Sequence, residues 1–298
     1  MGEVNLIKIG TRGSALALVQ TDLVINEINR KYPDIVCEKV IIHTTGDKIL
    51  NQPLIAFGGK GVFVTEFEDA LMSHKIDLAV HSAKDMPTEI PKGLQIVGTL
   101  PREDAREVLI TKKGFEKEGR KHITIGTSSA RRQIQIRELY QNVICKDLRG
   151  NVTTRLEKLK NGMYDGIILA AAGIKRLQLE KADEFDYQYF EYESMIPCGG
   201  QGIIAVEGRI NDKVSDLLQT ISDRIAFIEL EIERGALNLL GAGCHEAIGV
   251  ISNVNGNEIN VKIAKEKDNK MVRVEGKTRV CERFALIESL INQLLDKE

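Results

Sequence analysis

Through the first 210 of the 298 residues, short apolar runs alternate with stretches whose apolar residues recur at helical spacing. This alternation predicts α/β layers around largely parallel sheets. The predicted strands are Asn5 to Gly10, Ile35 to His43, Asp77 to Ser82, Leu94 to Leu100, Glu107 to Thr111, Ile123 to Gly126, Val143 to Asp147, Gly166 to Ala170 and Ile203 to Glu207, with helices between most of them. The alternation breaks near Leu100, in PREDAREV, and near Pro197, in IPCGGQG, so these two points are the predicted crossings between lobes. Beyond Ser222 the pattern changes to one long helix to about Leu240, three strand-like runs (Ala247 to Ser252, Glu258 to Ala264, Met271 to Gly276) and a helix from Cys281 to Leu295. That succession predicts a separate small α+β domain. The stretch Thr44 to Gly61, with Gly46, Pro53, Gly58, Gly59 and Gly61, is expected to be a mobile surface loop.

Composition narrows the class. With 43% hydrophobic and 28% charged residues the chain is ordinary globular material. No apolar run approaches the length of a membrane span, and the N-terminus does not read as a signal peptide. The five cysteines, at 37, 145, 198, 244 and 281, are odd in number and widely spaced, which suggests free thiols in a reducing cytosol and no structural metal. The net charge of -2 conceals an imbalance: Gly126 to Arg176 holds ten Lys or Arg against four acids, and Leu177 to Ile196 one Lys against six acids. The basic segment lacks the aromatic interleaving of a nucleic-acid surface, so a small polyanion in a pocket fits it better.

Three strand-to-helix junctions locate that polyanion. In TRGSALAL, GTSSARRQ and LRGNVTTR, capping residues (Ser14, Ser128 or Ser129, Asn151) are accompanied by arginines in or just before the first helical turn. The positive end of a helix dipole disfavours Arg12, Arg131, Arg132 and Arg149 there by about 0.3 to 1 kcal/mol each. Either they are solvated or paired with acids, or a bound anion compensates them through the helix N-H groups and the guanidinium forks; with three such junctions the expectation is several anionic groups gripped across a cleft. In HSAKDMP, Lys84 and Asp85 stand side by side at a strand end, with Pro87 blocking immediate helix formation, which makes them a candidate site. Cys244 follows Gly241, Ala242 and Gly243 on a turn, where burial as a small hydrophobe and covalent chemistry are both open. His43, His74, His81, His122 and His245 are scattered and form no triad with any Ser or Cys.

The ordered set IGTRGSALAL, GGKGVFVTEFEDAL, DLAVHSAKDMP, IGTSSARR, LRGNVTTRL, ILAAAGIKRL, PCGGQG and GCHEAIG resembles the hydroxymethylbilane synthase (porphobilinogen deaminase) family over almost the whole chain. The resemblance implies two periplasmic-binding-protein-like α/β lobes with mixed, largely parallel sheets, plus a small α+β C-terminal domain. Lobe one would comprise residues 1–99 and 200–218, lobe two 100–199, and the third domain 222–298. It implies a cytoplasmic monomer, free of nucleic acid and membrane, that joins four porphobilinogen molecules on a dipyrromethane primer held by thioether to Cys244. Lys84, Asp85, Thr127, Ser128, Ser129, Arg131, Arg132, Arg155 and Gly200 would contact that cofactor. Arg12, Ser14, Arg149, Asn151 and Arg176 would serve the substrate, Asp85 would be the catalytic carboxylate, and Lys60 and Phe63 would belong to a lid loop. No metal is implied. Ala242, Glu246 and Ala247 depart from the family's usual Gly-Gly-Cys run ending in Pro. The rival readings are a non-catalytic two-lobed anion-binding protein and, more distantly, a nucleic-acid binder.

Overall fold

The computed structural model describes residues 4–44, 64–117, 119–181, 183–241 and 246–296. In chain order the elements run β1 (Leu6–Thr11), α1 (Ala15–Lys31), β2 (Val36–Ile41), α2 (Thr65–Met72), β3 (Leu78–Ser82) and β4 (Leu94–Thr99). They continue with β5 (Glu107–Lys112), β6 (Ile123–Gly126), α3 (Ala130–Leu139), β7 (Val143–Lys146), α4 (Val152–Lys160), β8 (Gly166–Ala170), α5 (Ala171–Arg176) and β9 (Phe185–Phe190). The last part comprises β10 (Ile204–Arg209), α6 (Lys213–Gln219), α7 (Arg224–Leu239), β11 (Ile248–Asn255), β12 (Glu258–Lys267), β13 (Lys270–Arg279) and α8 (Arg283–Asp296). No described helix is long and apolar enough to cross a membrane. Contacts divide the chain into two compact units, residues 1–103 with 203–231 and residues 104–202 with 232–298.

The first unit is built on a five-stranded sheet of order β2-β1-β3-β10-β4. Strands β2, β1 and β3 are parallel, and β10 runs antiparallel to both β3 and β4. Both faces are covered, which is why strand residues on either side of the pleat are apolar. Val24 and Ile28 of α1 and Val214 and Leu218 of α6 cover one face, while Phe67 and Leu71 of α2 cover the other.

The second unit repeats the plan in the order β7-β6-β8-β5-β9, with β7, β6 and β8 parallel and β5 antiparallel to β8 and β9. In both units the one reversed strand is the first after a crossing, β5 after residue 103 and β10 after residue 202. Along β8, Ile167 and Leu169 face Leu156 and Leu159 of α4, and Ile168 faces Ile136 of α3. The mixed α/β architecture expected from the alternation is therefore what the chain adopts. Residues 248–279 form an antiparallel meander, β11-β12-β13, against which α8 packs Ile287, Leu290, Ile291 and Leu294.

Two expectations need correcting. Strand β9 falls in the acidic stretch Leu177 to Ile196, where no strand is predicted. There Phe185, Tyr187 and Tyr189 alternate inward while Asp186 and Gln188 face solvent, the pattern of an edge strand. Strands β12 and β13 also run longer than predicted, pairing up to Lys267 opposite Lys270. A two-residue turn closes them, with Asp268 and Asn269 both at positive φ, the geometry that suits the twist of a hairpin.

Candidate active site

In the second unit β6, β7 and β8 are parallel, so their carboxyl ends lie along one edge, and reversed β5 starts there with Glu107 opposite Ala170. The segments leaving that edge carry Thr127, Ser128, Ser129, Arg131, Arg132, Arg149, Asn151, Arg155 and Arg176, so one sheet edge gathers nine residues that sequence reasoning singled out. Thr127 is buried, and its N-H donates to the Lys146 carbonyl at 2.8 Å. Ser128 Oγ accepts from Leu148 N at 3.0 Å and donates to Leu148 O at 3.2 Å, tying the end of β6 to the loop after β7. Ser129 is the N-cap residue of α3, yet its side chain makes no capping bond.

Asn151 caps α4 by accepting from Thr154 N at 2.8 Å. The loop before it turns at Gly150, whose φ of 113° is unfavourable for a residue with a Cβ. Two cations of α4 reach back to this loop: Arg155 Nε donates to Gly150 O at 2.7 Å and Lys158 Nζ to Arg149 O at 2.9 Å. Arg176 Nη2 donates to Gly202 O at 2.6 Å. Gly200, at φ 76°, donates its N-H to Glu233 Oε2 at 2.6 Å. Glu233 is buried and also accepts from Ser252 N and Oγ, so it fastens the Gly-rich turn to α7 and β11.

For Arg131 and Arg132 the compensating charge is internal, which corrects the expectation that a ligand would supply it. The two residues are 4% and 8% exposed, and Glu107, at 0%, reaches both, with Oε1 2.7 Å from Arg131 Nη2 and Oε2 2.7 Å from Arg132 Nη2. Arg131 Nη1 also donates to Ile196 O at 2.7 Å and Arg132 Nη1 to Ile168 O at 3.1 Å. Gln135 holds Ile196 in place through its carbonyl and its N-H. Burial works against the Arg131 charge, but Glu107 and Cys198 beside it prevail and raise its pKa above the usual arginine value. Glu107, Gln135 and Glu233 were not singled out in the sequence. The one signal was an acid opening the otherwise apolar strand EVLIT.

The first unit has a corresponding edge. Strand β1 ends at Thr11, Arg12 and Gly13 follow, and Ser14 caps α1 by accepting from Ala17 N at 3.3 Å. Gln20 of α1 bonds Ser82 Oγ at 2.8 Å, joining that helix to the end of β3. Next comes one short 3₁₀ turn, Ala83–Asp85. Ala83 donates to Ile203 O at 3.0 Å and Met86 to Ala83 O at 3.2 Å. Ala83 and Met86 are buried against Ala226 and Leu230 of α7, whereas Lys84 between them is half-buried and Asp85 is exposed. The turn is thus pinned at both ends and presents a carboxylate to solvent. His81, just before it, is a buried side chain 3.1 Å from Glu207 Oε2. Lys60 and Phe63 of the expected lid loop, and Cys244, lie outside the described residues.

The donor set suits a ligand bearing several carboxylates. Five arginines lie on the segments leaving the edge of the second unit, the buried carboxylate of Glu107 lies against two of them, and among the described residues buried Arg132 Nε has no hydrogen-bond partner.

Comparison with known proteins adds the family. Residues 7–216 match the family described as porphobilinogen deaminase, dipyromethane cofactor binding domain. A porphobilinogen deaminase of Roseiflexus sp. (strain RS-1) is 40% identical over 292 residues, covering 97% of this chain and 95% of the relative. One from Clostridium botulinum (strain Kyoto / Type A2) is 40% identical over 268 residues, covering 90% and 91%. Among solved structures, the periplasmic VFT2 domain of Bordetella pertussis BvgS aligns with a TM-score of 0.44 at 12% identity, covering 73% of this chain and 87% of that one. The LysR-family regulator CbnR aligns at 0.46 and 11%, covering 74% and 69%. With a family match across most of its length and relatives 40% identical over 90% and 97% of it, this chain belongs to the porphobilinogen deaminase family.

Proposed function

We propose that this chain polymerises four porphobilinogen molecules head to tail, releasing ammonia at each addition, and hydrolyses the product to hydroxymethylbilane. The observation that carries the reading is the assembly of Arg131, Arg132, Arg149, Arg155 and Arg176 at one sheet edge of a chain belonging to this family. The dipyrromethane primer, attached by thioether to Cys244, supplies the pyrrole carbon on which the chain grows. Lys84, Asp85, Thr127, Ser128, Ser129, Arg131, Arg132, Arg155 and Gly200 hold this cofactor. Arg12, Ser14, Arg149, Asn151 and Arg176 bind the carboxylates of incoming substrate. Lys60 and Phe63 belong to the segment that excludes water. The protein works as a cytoplasmic monomer on a small-molecule substrate, with residues 1–99 and 200–218, 100–199 and 222–298 as its domains.

Asp85 carries the chemistry. From the protonated aminomethyl group the carbon-nitrogen bond breaks, the electron pair leaves with ammonia, and the remaining methylene pyrrole keeps the positive charge. A fixed carboxylate near the pyrrole N-H lowers the energy of that charge as it develops. A new carbon-carbon bond then forms, and the attacked ring carbon sheds a proton that the same carboxylate takes up. Exposure of Asp85 on a turn pinned by Ala83 and Met86 leaves it accessible to substrate without freedom to wander.

The test is to incubate the purified chain with porphobilinogen, measure ammonia released, and record the intact mass. One ammonia per porphobilinogen consumed, with a covalent excess of two pyrrole units that Cys244→Ser loses, is expected. Absence of ammonia with an unmodified mass overturns the reading in favour of an anion-binding protein.

A further inference from the structure

Arg131 and Arg132 occupy the first turn of α3, where the helix dipole disfavours cations, and both are buried, which disfavours them further. One buried carboxylate serves them both. These three side chains together carry two positive charges and one negative, an excess of one among them. Glu107 is the opening residue of β5, where the ladder pairs it with both Ala170 and Phe190, so its backbone is fixed on two sides. Its two oxygens each engage a different guanidinium, and the remaining Nη1 of each arginine is bound to a main-chain carbonyl. Among the described residues, buried Arg132 Nε has no hydrogen-bond partner, nor does Glu107 Oε2, which lies against Arg132 Nη2 as an ion pair.

We propose that Glu107 is a positioning residue that sets the charge of the Arg131–Arg132 pair, leaving one net positive charge to meet one carboxylate of the bound primer. This rests on the reading of those arginines as primer contacts. Without Glu107 the folded chain would bury two like charges and depend on an added anion to hold them. Without Arg132 the cluster would be neutral and indifferent to an anion. The attraction between cluster and ligand should scale with the cluster's net charge, as Coulomb's law requires at fixed geometry.

The experiment uses the full chain prepared with and without a supply of porphobilinogen, and reads the rise in thermal midpoint that the primer confers. Three variants change the cluster charge: Glu107→Gln to two, Arg132→Gln to zero, and the double variant back to one. With the other cofactor-holding residues supplying about half of the primer-dependent rise, it should be about 1.5-fold larger than wild type in Glu107→Gln, about half in Arg132→Gln, and close to wild type in the double variant. A purely structural Glu107 would lower every midpoint yet leave the rise unrelated to charge, and that result overturns the inference. Should Glu107→Gln fail to fold, Arg132→Gln and the double variant decide it, since equal rises in those two also overturn it. A wild-type chain that gains no primer mass refutes the functional reading itself, whereas primer gained with rises that ignore charge refutes the role of Glu107 alone.

Discussion

Asp104 accepts hydrogen bonds from Arg106 N and Nε at 3.0 Å, from Arg106 Nη2 at 2.9 Å and from Lys175 Nζ at 2.8 Å. Burial alone would push its carboxyl upward, but the bonds from Arg106 and Lys175 outweigh burial and hold it well below the usual carboxylate range. A depressed folded value means that the stabilisation is complete above the unfolded value of about 4 and is lost as pH falls towards the folded one. Asp104→Asn is therefore expected to lower the thermal midpoint at pH 7, with the gap from wild type narrowing below about pH 4. A gap that stays constant between pH 7 and pH 3 contradicts the assignment. This network was not legible in the sequence, where PREDAREV registered only as a break in periodicity. Nor was Glu107, because its meeting with Arg131 and Arg132 depends on β5 running opposite to β6, which no local pattern encodes. The arginines themselves were legible, since a cation in a first helical turn is conspicuous against the dipole.

At the scale of elements the sequence was more informative. Apolar runs located the parallel strands of both units to within a few residues, and Ser14 and Asn151 cap α1 and α4 as their residue types imply. What it hid was β9, whose inward aromatics are interleaved with acids, and the direction of the reversed strands. The Arg149–Asn151 loop tests how firmly an element end positions a side chain proposed to bind substrate. Asn151→Ala removes one cap and should cost about 1 kcal/mol. Gly150→Ala should cost more, because it forces a Cβ into φ 113° and to within 2.9 Å of Thr154 Cγ2. Both variants should raise KM for porphobilinogen more than they lower kcat, since the loop orients Arg149 rather than Asp85. Urea titration and steady-state kinetics check this, and a Gly150→Ala protein as stable as its parent contradicts the loop geometry.

At the scale of the molecule, periodicity changes at Ser222, but packing does not stop there. Ala105, Ile134 and Ile196 are buried together with Ile251, Ala264 and Met271 of the β11-β12-β13 meander. Val250 N donates to Pro197 O at 2.9 Å, and Arg273 pairs with Glu138 at 2.6 Å. Sequence periodicity reports the type of each element, whereas these contacts join residues more than 50 positions apart and depend on which apolar faces happen to meet. They also bear on the site, because Ile196 supplies the carbonyl that receives Arg131 Nη1. Removing residues 247–298 should therefore uncover an apolar face on Ile134 and Ile196 and loosen Arg131, beyond any loss from the missing C-terminal elements. The shortened chain is expected to aggregate or to bind an apolar dye, and Ile251→Ala in the full chain to lose about 2 to 5 kcal/mol of stability. A truncated chain that stays monomeric with the thermal midpoint of the full protein would show that residues 104–202 bury their core without the meander.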